Sequence, residues 1–162
     1  MGFRLRFAAI VFLCIHSGNA QITNVAQCLD VELTSTVLGA MPSFDGTSPQ
    51  LAFMGFVKGT LNGNYEEFLW HLSDDQRIEN CGFSDLSNLT PAMTNNFFDT
   101  IASMGFSNHY IRAYSECPTN GGYAVSATMQ SRKGPMVKLS NMDLNLVLTN
   151  GVWRIVSWEV EE

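Results

Sequence analysis

At 162 residues, 46% apolar and 11% aromatic, the chain is one domain's worth and carries enough apolar side chains for a packed core, which argues against a disordered protein. Nine basic residues stand against fifteen acidic ones, a formal net charge of −6, and the longest basic run is the pair Arg132-Lys133. Without a Lys/Arg cluster to release counterions, no nucleic-acid partner is expected.

The first twenty residues read as a signal peptide. Arg4 and Arg6 give a positive start, Phe7 to Ile15 is a short apolar run, and Gly18-Asn19-Ala20 offers small residues to a signal peptidase, so cleavage is expected after Ala20. The apolar run falls short of the ~20 residues a bilayer-crossing helix needs, so no membrane span is expected in the mature chain. Leu13 is not the small residue that a lipid-modified Cys14 would want before it. Cleavage removes two arginines and no acid, leaving 7 basic against 15 acidic residues, a net of −8. Export, to a periplasm or outside the cell, places Cys28, Cys81 and Cys117 in an oxidising compartment. Three single-bridge pairings are open, and Cys28, on an N-terminal extension, has the most to gain from being tied to the body. The cysteines lie far apart with no CxxC pair and no histidine at ligand spacing, so no metal site is expected.

Residues 21 to 47 form that extension. Leu29, Val31, Leu33 and Val37 alternate with polar residues as in a half-buried strand, with a helix through Val25, Leu29 and Leu33 as the competing pattern, and Gly39 to Thr47 reads as a loop. The domain proper spans 48–162. Ser48-Pro49 opens a first helix, with Leu51, Met54, Val57 and Leu61 as its apolar stripe and Gly63 as its left-handed stop. Asn64 caps a second helix, with Glu67 placed to complete a capping box and Tyr65, Phe68, Leu69 and Leu72 as the buried face. After a break at Ser73-Asp74-Asp75, Arg77 to Cys81 alternates as a short strand would.

Thr90-Pro91 opens a third helix lined by Met93, Phe97, Ile101 and Met104 and ended by Gly105. Strands follow. Phe106 to Glu116 alternates with Tyr110 and Tyr114 on one face; Pro118 to Gly122 turns; Tyr123, Val125, Ala127 and Met129 share a side of the next strand; and Lys133-Gly134-Pro135 turns again. Met136 to Thr149 is long for one strand, leaving room for a bend near Asn141, and Asn150-Gly151 suits a type I′ hairpin into Val152 to Val160. Three helices followed by an antiparallel meander make an α+β fold with helices covering one face of a curved sheet.

That order, with Leu61-Asn62-Gly63-Asn64 before the second helix, Leu72-Ser73-Asp74-Asp75 after it and Gly151-Val152-Trp153-Arg154-Ile155 in the last hairpin, resembles the nuclear transport factor 2-like superfamily over about residues 48–160. The superfamily includes ketosteroid isomerase and the SnoaL-like polyketide cyclases. The resemblance implies a cone-shaped (cystatin-like) curved sheet wrapped around the three helices, and a homodimer through the outer sheet face. The isomerase needs a carboxylate base and a tyrosine donor at the oxyanion. Matched without gaps, the tyrosine position falls on Phe56, which has no donor, and the base position on Asn80, a neutral amide. The third position lies near Asp143 or Asn145. Steroid-type isomerisation is therefore not expected, and no residue is assigned a catalytic role.

Other constellations favour structural readings. Asp74-Asp75 suits a turn, Glu66 and Glu67 suit a helix N-terminus, and His71 suits a helix C-terminus. His109 is the more open case, although it and Tyr110 point to opposite sides of a strand. There is no GxSxG elbow, phosphate loop or dinucleotide fingerprint. The expected cone wall is apolar and aromatic, including Phe56, Met93, Phe97 and Tyr110, with Asn80 and Asp143 as polar points. Such a wall suits a small hydrophobic ligand without a cofactor, or is filled by its own side chains. The expectation is thus an exported, non-catalytic domain binding a small hydrophobic molecule or a partner protein. The alternative is a cyclase, dehydratase or isomerase using Asp143 or His109.

Overall fold

A computed structural model describes residues 28–30 and 43–161 of the chain. The expected leader and most of the expected strand over residues 29–37 lie outside the described residues.

Helix α1 spans Pro49–Leu61. The Ser48 hydroxyl accepts from the Leu51 amide at 3.2 Å, the cap that the Ser-Pro pair predicts. Its burial is broader than the expected stripe. Ala52, Phe53, Met54, Phe56 and Val57 are all buried, whereas Leu51 and Leu61 are only half-buried. The reason is that α1 runs through the core, with the sheet on one side and the next helix on the other. Gly59 permits that crossing: a Cβ there would meet the Phe68 backbone nitrogen at 2.5 Å and the Glu67 carbonyl carbon at 3.0 Å.

Gly63, at φ 65°, turns the chain into α2, Tyr65–Trp70. The Asn64 side chain accepts from the Glu67 amide at 3.2 Å. The expected capping box is not closed: the Asn64 amide N–H donates to the Gly59 carbonyl at 2.8 Å, and the Glu67 carboxylate instead meets the Asn64 side-chain amide at 3.4 Å. Phe68, Leu69 and Leu72 are buried as expected, and Tyr65 is half-buried.

The segment expected as a strand over Arg77 to Cys81 is helical. Helix α3 spans Asp74–Cys81, with the Ser73 hydroxyl accepting from the Gln76 amide at 3.4 Å, two aspartates in its first turn, and Gly82 ending it at φ 86°. Alternation over five residues was outweighed by a complete set of helix terminators: an N-cap serine, acids at the positive end and a left-handed glycine. A short 3-10 turn, Leu86–Asn88, leads to α4, Pro91–Met104, capped by Thr90 at 3.3 Å and stopped by Gly105 at φ 67°. No residue of α4 is fully buried. It docks on α2 through Phe97, whose ring stacks on Tyr65 at 4.6 Å and on Phe68 at 5.3 Å.

The sheet is an open antiparallel meander in the order β1 (Leu29–Asp30), β2 (Ser107–Thr119), β3 (Gly122–Lys133), β4 (Met136–Thr149), β5 (Val152–Glu161). The two-residue β1 pairs Leu29 with Glu116, which brings Cys28 to Cys117, and the two are joined in a disulfide across 89 residues of sequence. Of the three pairings open to the sequence this is the one formed, and Cys81 stays a thiol donating to the Arg77 carbonyl at 3.0 Å.

Tyr110 and Tyr114 do not share a face. Ile111 lies opposite Met129 but Ala113 opposite Thr128, so Arg112 is an extra residue that reverses the alternation beyond it. Tyr114 is consequently buried beside Ile111, and Tyr110 points the other way. Tyr123, Val125, Ala127 and Met129 alternate inward as expected. The break in β4 register falls at Asn145/Leu146, opposite an extra Val156 on β5, rather than near Asn141. Asn150 and Gly151 both have positive φ, 52° and 78°, as the type I′ pattern requires. The core forms where Ile111, Tyr114, Val125, Ala127, Met129, Leu144, Leu146 and Ile155 meet Phe53, Phe56 and Val57 of α1.

Candidate functional site

The six residues expected to share a cavity wall are not brought together. Phe56 is 2% exposed and wedged between Phe68, at 5.1 Å, and Trp158, at 5.5 Å. Asn80 is exposed on α3, where its side-chain amide donates to the Gln76 carbonyl at 2.7 Å. Met93 and Phe97 lie on α4, with Phe97 held in the Tyr65–Phe68 stack. Tyr110 is half-buried, with the Arg112 guanidinium 5.8 Å from its ring centre. Asp143 is exposed and accepts from the Ser126 hydroxyl at 2.5 Å, on the sheet face opposite the buried Leu144. The inner face that the sequence assigns to a ligand is occupied by the protein's own side chains.

The outer face carries cross-strand polar pairs: Ser126–Asp143, Thr128–Asn141 at 3.0 Å, Asn145–Ser157 at 2.9 Å and Arg112–Gln130 at 2.7 Å. Ser126, Asp143, Thr128, Asn141 and Arg112 line a shallow, open concavity of about 540 Å³. Its polar groups are already engaged with one another, which suits a solvated or protein-covered surface better than a ligand pocket.

A different recess has the composition of a binding site. It lies where the end of α1 and its turn (Leu61, Asn62, Gly63) face Phe98, Ile101 and Met104 of α4 and the start of β2 (Phe106, His109), and encloses about 260 Å³. Three sequence features build it. Gly63 brings the chain against α4, where a Cβ would meet the Phe98 ring at 2.8 Å; the helical spacing of Ile101 and Met104 turns both to one side; and Gly105 swings the chain into β2. Its lining is mostly apolar, as small-molecule sites are, and its volume sits just below the usual range for drug-sized ligands.

His109 is the titratable group in this cleft. It is half-buried, with Nδ1 2.8 Å from the Ser131 hydroxyl. Burial holds its pKa below the usual histidine value, opposed by a hydrogen bond to the Phe106 backbone carbonyl, so the ring is neutral at neutral pH. Neutral imidazole has one donor and one acceptor, and the Ser131 hydroxyl and the Phe106 carbonyl already engage the ring.

His71, expected at a helix C-terminus, is the C-cap of α2; it is fully buried, and neither ring nitrogen has a hydrogen-bond partner among the described residues. Burial first, and then the positive charge of Arg154, push its pKa down to about 3, with Asp45 acting in the opposite sense. Arg154 lies 4.1 Å over the Trp70 ring and donates to the Trp70 carbonyl, which also accepts from Arg77 at 3.2 Å. Glu67, 1% exposed, faces Lys58 at 3.7 Å. Both buried polar groups sit at the α1–α2 contact and read as structural. Among the described residues, no three His, Cys, Asp or Glu side chains are grouped to hold a metal ion, and no helix is long and apolar enough to cross a membrane.

No protein-family model matches the chain, and no curated protein matches it.

Proposed function

We propose that the chain is an exported, non-catalytic binding domain of the nuclear transport factor 2-like, SnoaL-like kind, and that its ligand is a small apolar molecule held between α1, α4 and β2. The observation that carries this reading is the 260 Å³ apolar recess with His109 as its titratable group. The superfamily assignment is supported by helices preceding an antiparallel meander and by α1 lying across the inner sheet face, the arrangement a cone would need. The non-catalytic reading is supported by Phe56, buried without a polar atom, and by Asn80, on the exposed side of a helix. Export is supported by the Cys28–Cys117 disulfide, a bond that persists in oxidising compartments. Intact-mass measurement of the secreted protein is expected to give a chain beginning at Gln21; a mass retaining residues 1–20 would overturn the export reading. A homodimer through the outer sheet face belongs to the same reading, with Val137 and Leu139, 52% and 56% exposed, as its apolar edge. Sedimentation equilibrium tests it, and a monomer at micromolar concentration would refute it.

The ligand test is calorimetric titration with octan-1-ol, which should bind the native protein and not the variant Ala102→Trp, which places an indole at a residue lining the recess. Equal heats for the two proteins would overturn the assignment. A second reading, proton transfer by His109, is favoured by the half-buried imidazole and its Ser131 partner. It requires turnover of a small apolar carbonyl compound that disappears in His109→Gln, with a pH midpoint below ~6.5 because burial lowers the histidine.

A further inference from the structure

The recess is lined without a charged side chain. No Asp, Glu, Lys or Arg belongs to its wall, and the two ammonium groups over the Phe106 ring, those of Lys133 and Lys138, come from residues outside it. Its polar side chains are Thr60, Asn62 and His109, and two of these are committed. The Thr60 hydroxyl donates to the Phe56 carbonyl at 2.9 Å, so only its lone pairs are left, and His109 is engaged by the Ser131 hydroxyl and the Phe106 carbonyl. Asn62 differs. As the C-cap of α1 it donates its backbone N–H to the Lys58 and Thr60 carbonyls, while its exposed side-chain carboxamide has no hydrogen-bond partner among the described residues. A carbonyl acceptor and an amide donor thus stand unused beside an apolar cleft.

We infer that Asn62 sets the specificity of the recess, and that the ligand is an uncharged short-chain molecule whose one head group both donates and accepts, an alcohol or a primary amide. The chain lies among Leu61, Phe98, Ile101 and Met104, and the head group pairs with the Asn62 carboxamide. This rests on the reading of the recess as a ligand site and adds the chemistry of the ligand's head. A carboxylate or ammonium leaving water here meets no opposite charge in the wall, so burial disfavours it. A neutral head group exchanges water for the carboxamide and keeps its hydrogen bonds, and one such bond is worth on the order of three- to tenfold in affinity. At roughly 30 Å³ per water-sized group, 260 Å³ holds about eight or nine such groups, the size of octan-1-ol.

The test compares three probes by calorimetry at pH 7: octan-1-ol, its isomer 1-methoxyheptane, which accepts a hydrogen bond but donates none, and octanoate. The native protein is expected to bind octan-1-ol about three- to tenfold more tightly than the ether, and octanoate more weakly than octan-1-ol. Asn62→Leu keeps a side chain of similar size at an ordinary backbone position, φ −88°, and should bind the alcohol and the ether equally. Ala102→Trp should bind none of the three. Equal affinities for alcohol and ether in the native protein would overturn the inference and leave the apolar recess standing, as would octanoate binding more tightly than octan-1-ol. A preference for the alcohol that persists in Asn62→Leu would overturn the assignment to Asn62. No binding of any probe would remove both the inference and the recess as a ligand site.

Discussion

At His71 the fold buries an imidazole completely and leaves both ring nitrogens without partners among the described residues. Protonating it would place a charge next to Arg154, with Asp45 as the opposing group and Arg77 and Asp74 acting on Arg154 from α3. The folded pKa of about 3 lies below the unfolded value of ~6.5, so the unfolded state binds the proton first. The contribution is therefore fully present above about pH 6.5 and is lost as pH falls toward 3, at about 1.4 kcal/mol per pH unit within that window. Urea denaturation at pH 7 and pH 5 should show native stability falling more steeply than that of His71→Leu, by about 2 kcal/mol. Parallel pH dependences would show that His71 titrates normally in the folded protein. The helix caps at Ser48, Asn64 and Thr90 were legible in the sequence because a cap is a conversation between residues two or three apart. The burial of His71 was not, because it depends on Gly55 and Arg154, which the fold brings in from elsewhere in the chain.

Between elements, the crossing of α1 and α2 is tightly constrained at Gly59. In an exposed helix, Gly→Ala stabilises by about 1 kcal/mol. At Gly59 the sign should reverse, because the added carbon would meet backbone atoms of Glu67 and Phe68 that cannot rotate aside. Gly59→Ala is expected to lower stability by about 1–3 kcal/mol, the ordinary cost of overpacking, with no loss of helical signal by circular dichroism. A stabilised variant would mean that the helices stand further apart than described. The elements that resisted sequence reading share a cause. The Arg112 bulge changes which residues of β2 face inward without changing the local pattern, so Tyr110 and Tyr114 look equivalent until β3 is laid alongside. Likewise α3 is short and mostly exposed, and in such a segment apolar periodicity is a weaker guide than the terminators Ser73 and Gly82. The six expected site residues failed to converge for the same reason: side-chain direction was inferred one element at a time, while Phe56 faces α2 and β5, and Asp143 faces away from the core. The cleft that does form draws on two residues already placed on α4's inner face, Ile101 and Met104, and on His109, which the sequence left open.

For the whole molecule, the edge of the meander at β2 is tied to the N-terminal segment by a cross-link. The Cys28–Cys117 bridge closes a span of 89 residues that contains α1 to α4, and among the described residues the edge strand it anchors pairs through Leu29 and Asp30. Loop-closure entropy for a span of this length gives an upper value of about 4–5 kcal/mol, and residual structure in the unfolded chain commonly reduces such figures to about 2–4. Cys28→Ser/Cys117→Ser should therefore melt roughly 5–15 °C below the native protein, with the helical signal of the folded state retained. Because the α1–α4–β2 recess uses no residue of β1 or the bridge, octan-1-ol affinity should be unchanged below the melting transition. A variant that melts normally would show the bridge to be dispensable. One that melts lower and also loses octan-1-ol binding would show that the edge strand holds β2 in the position the cleft requires.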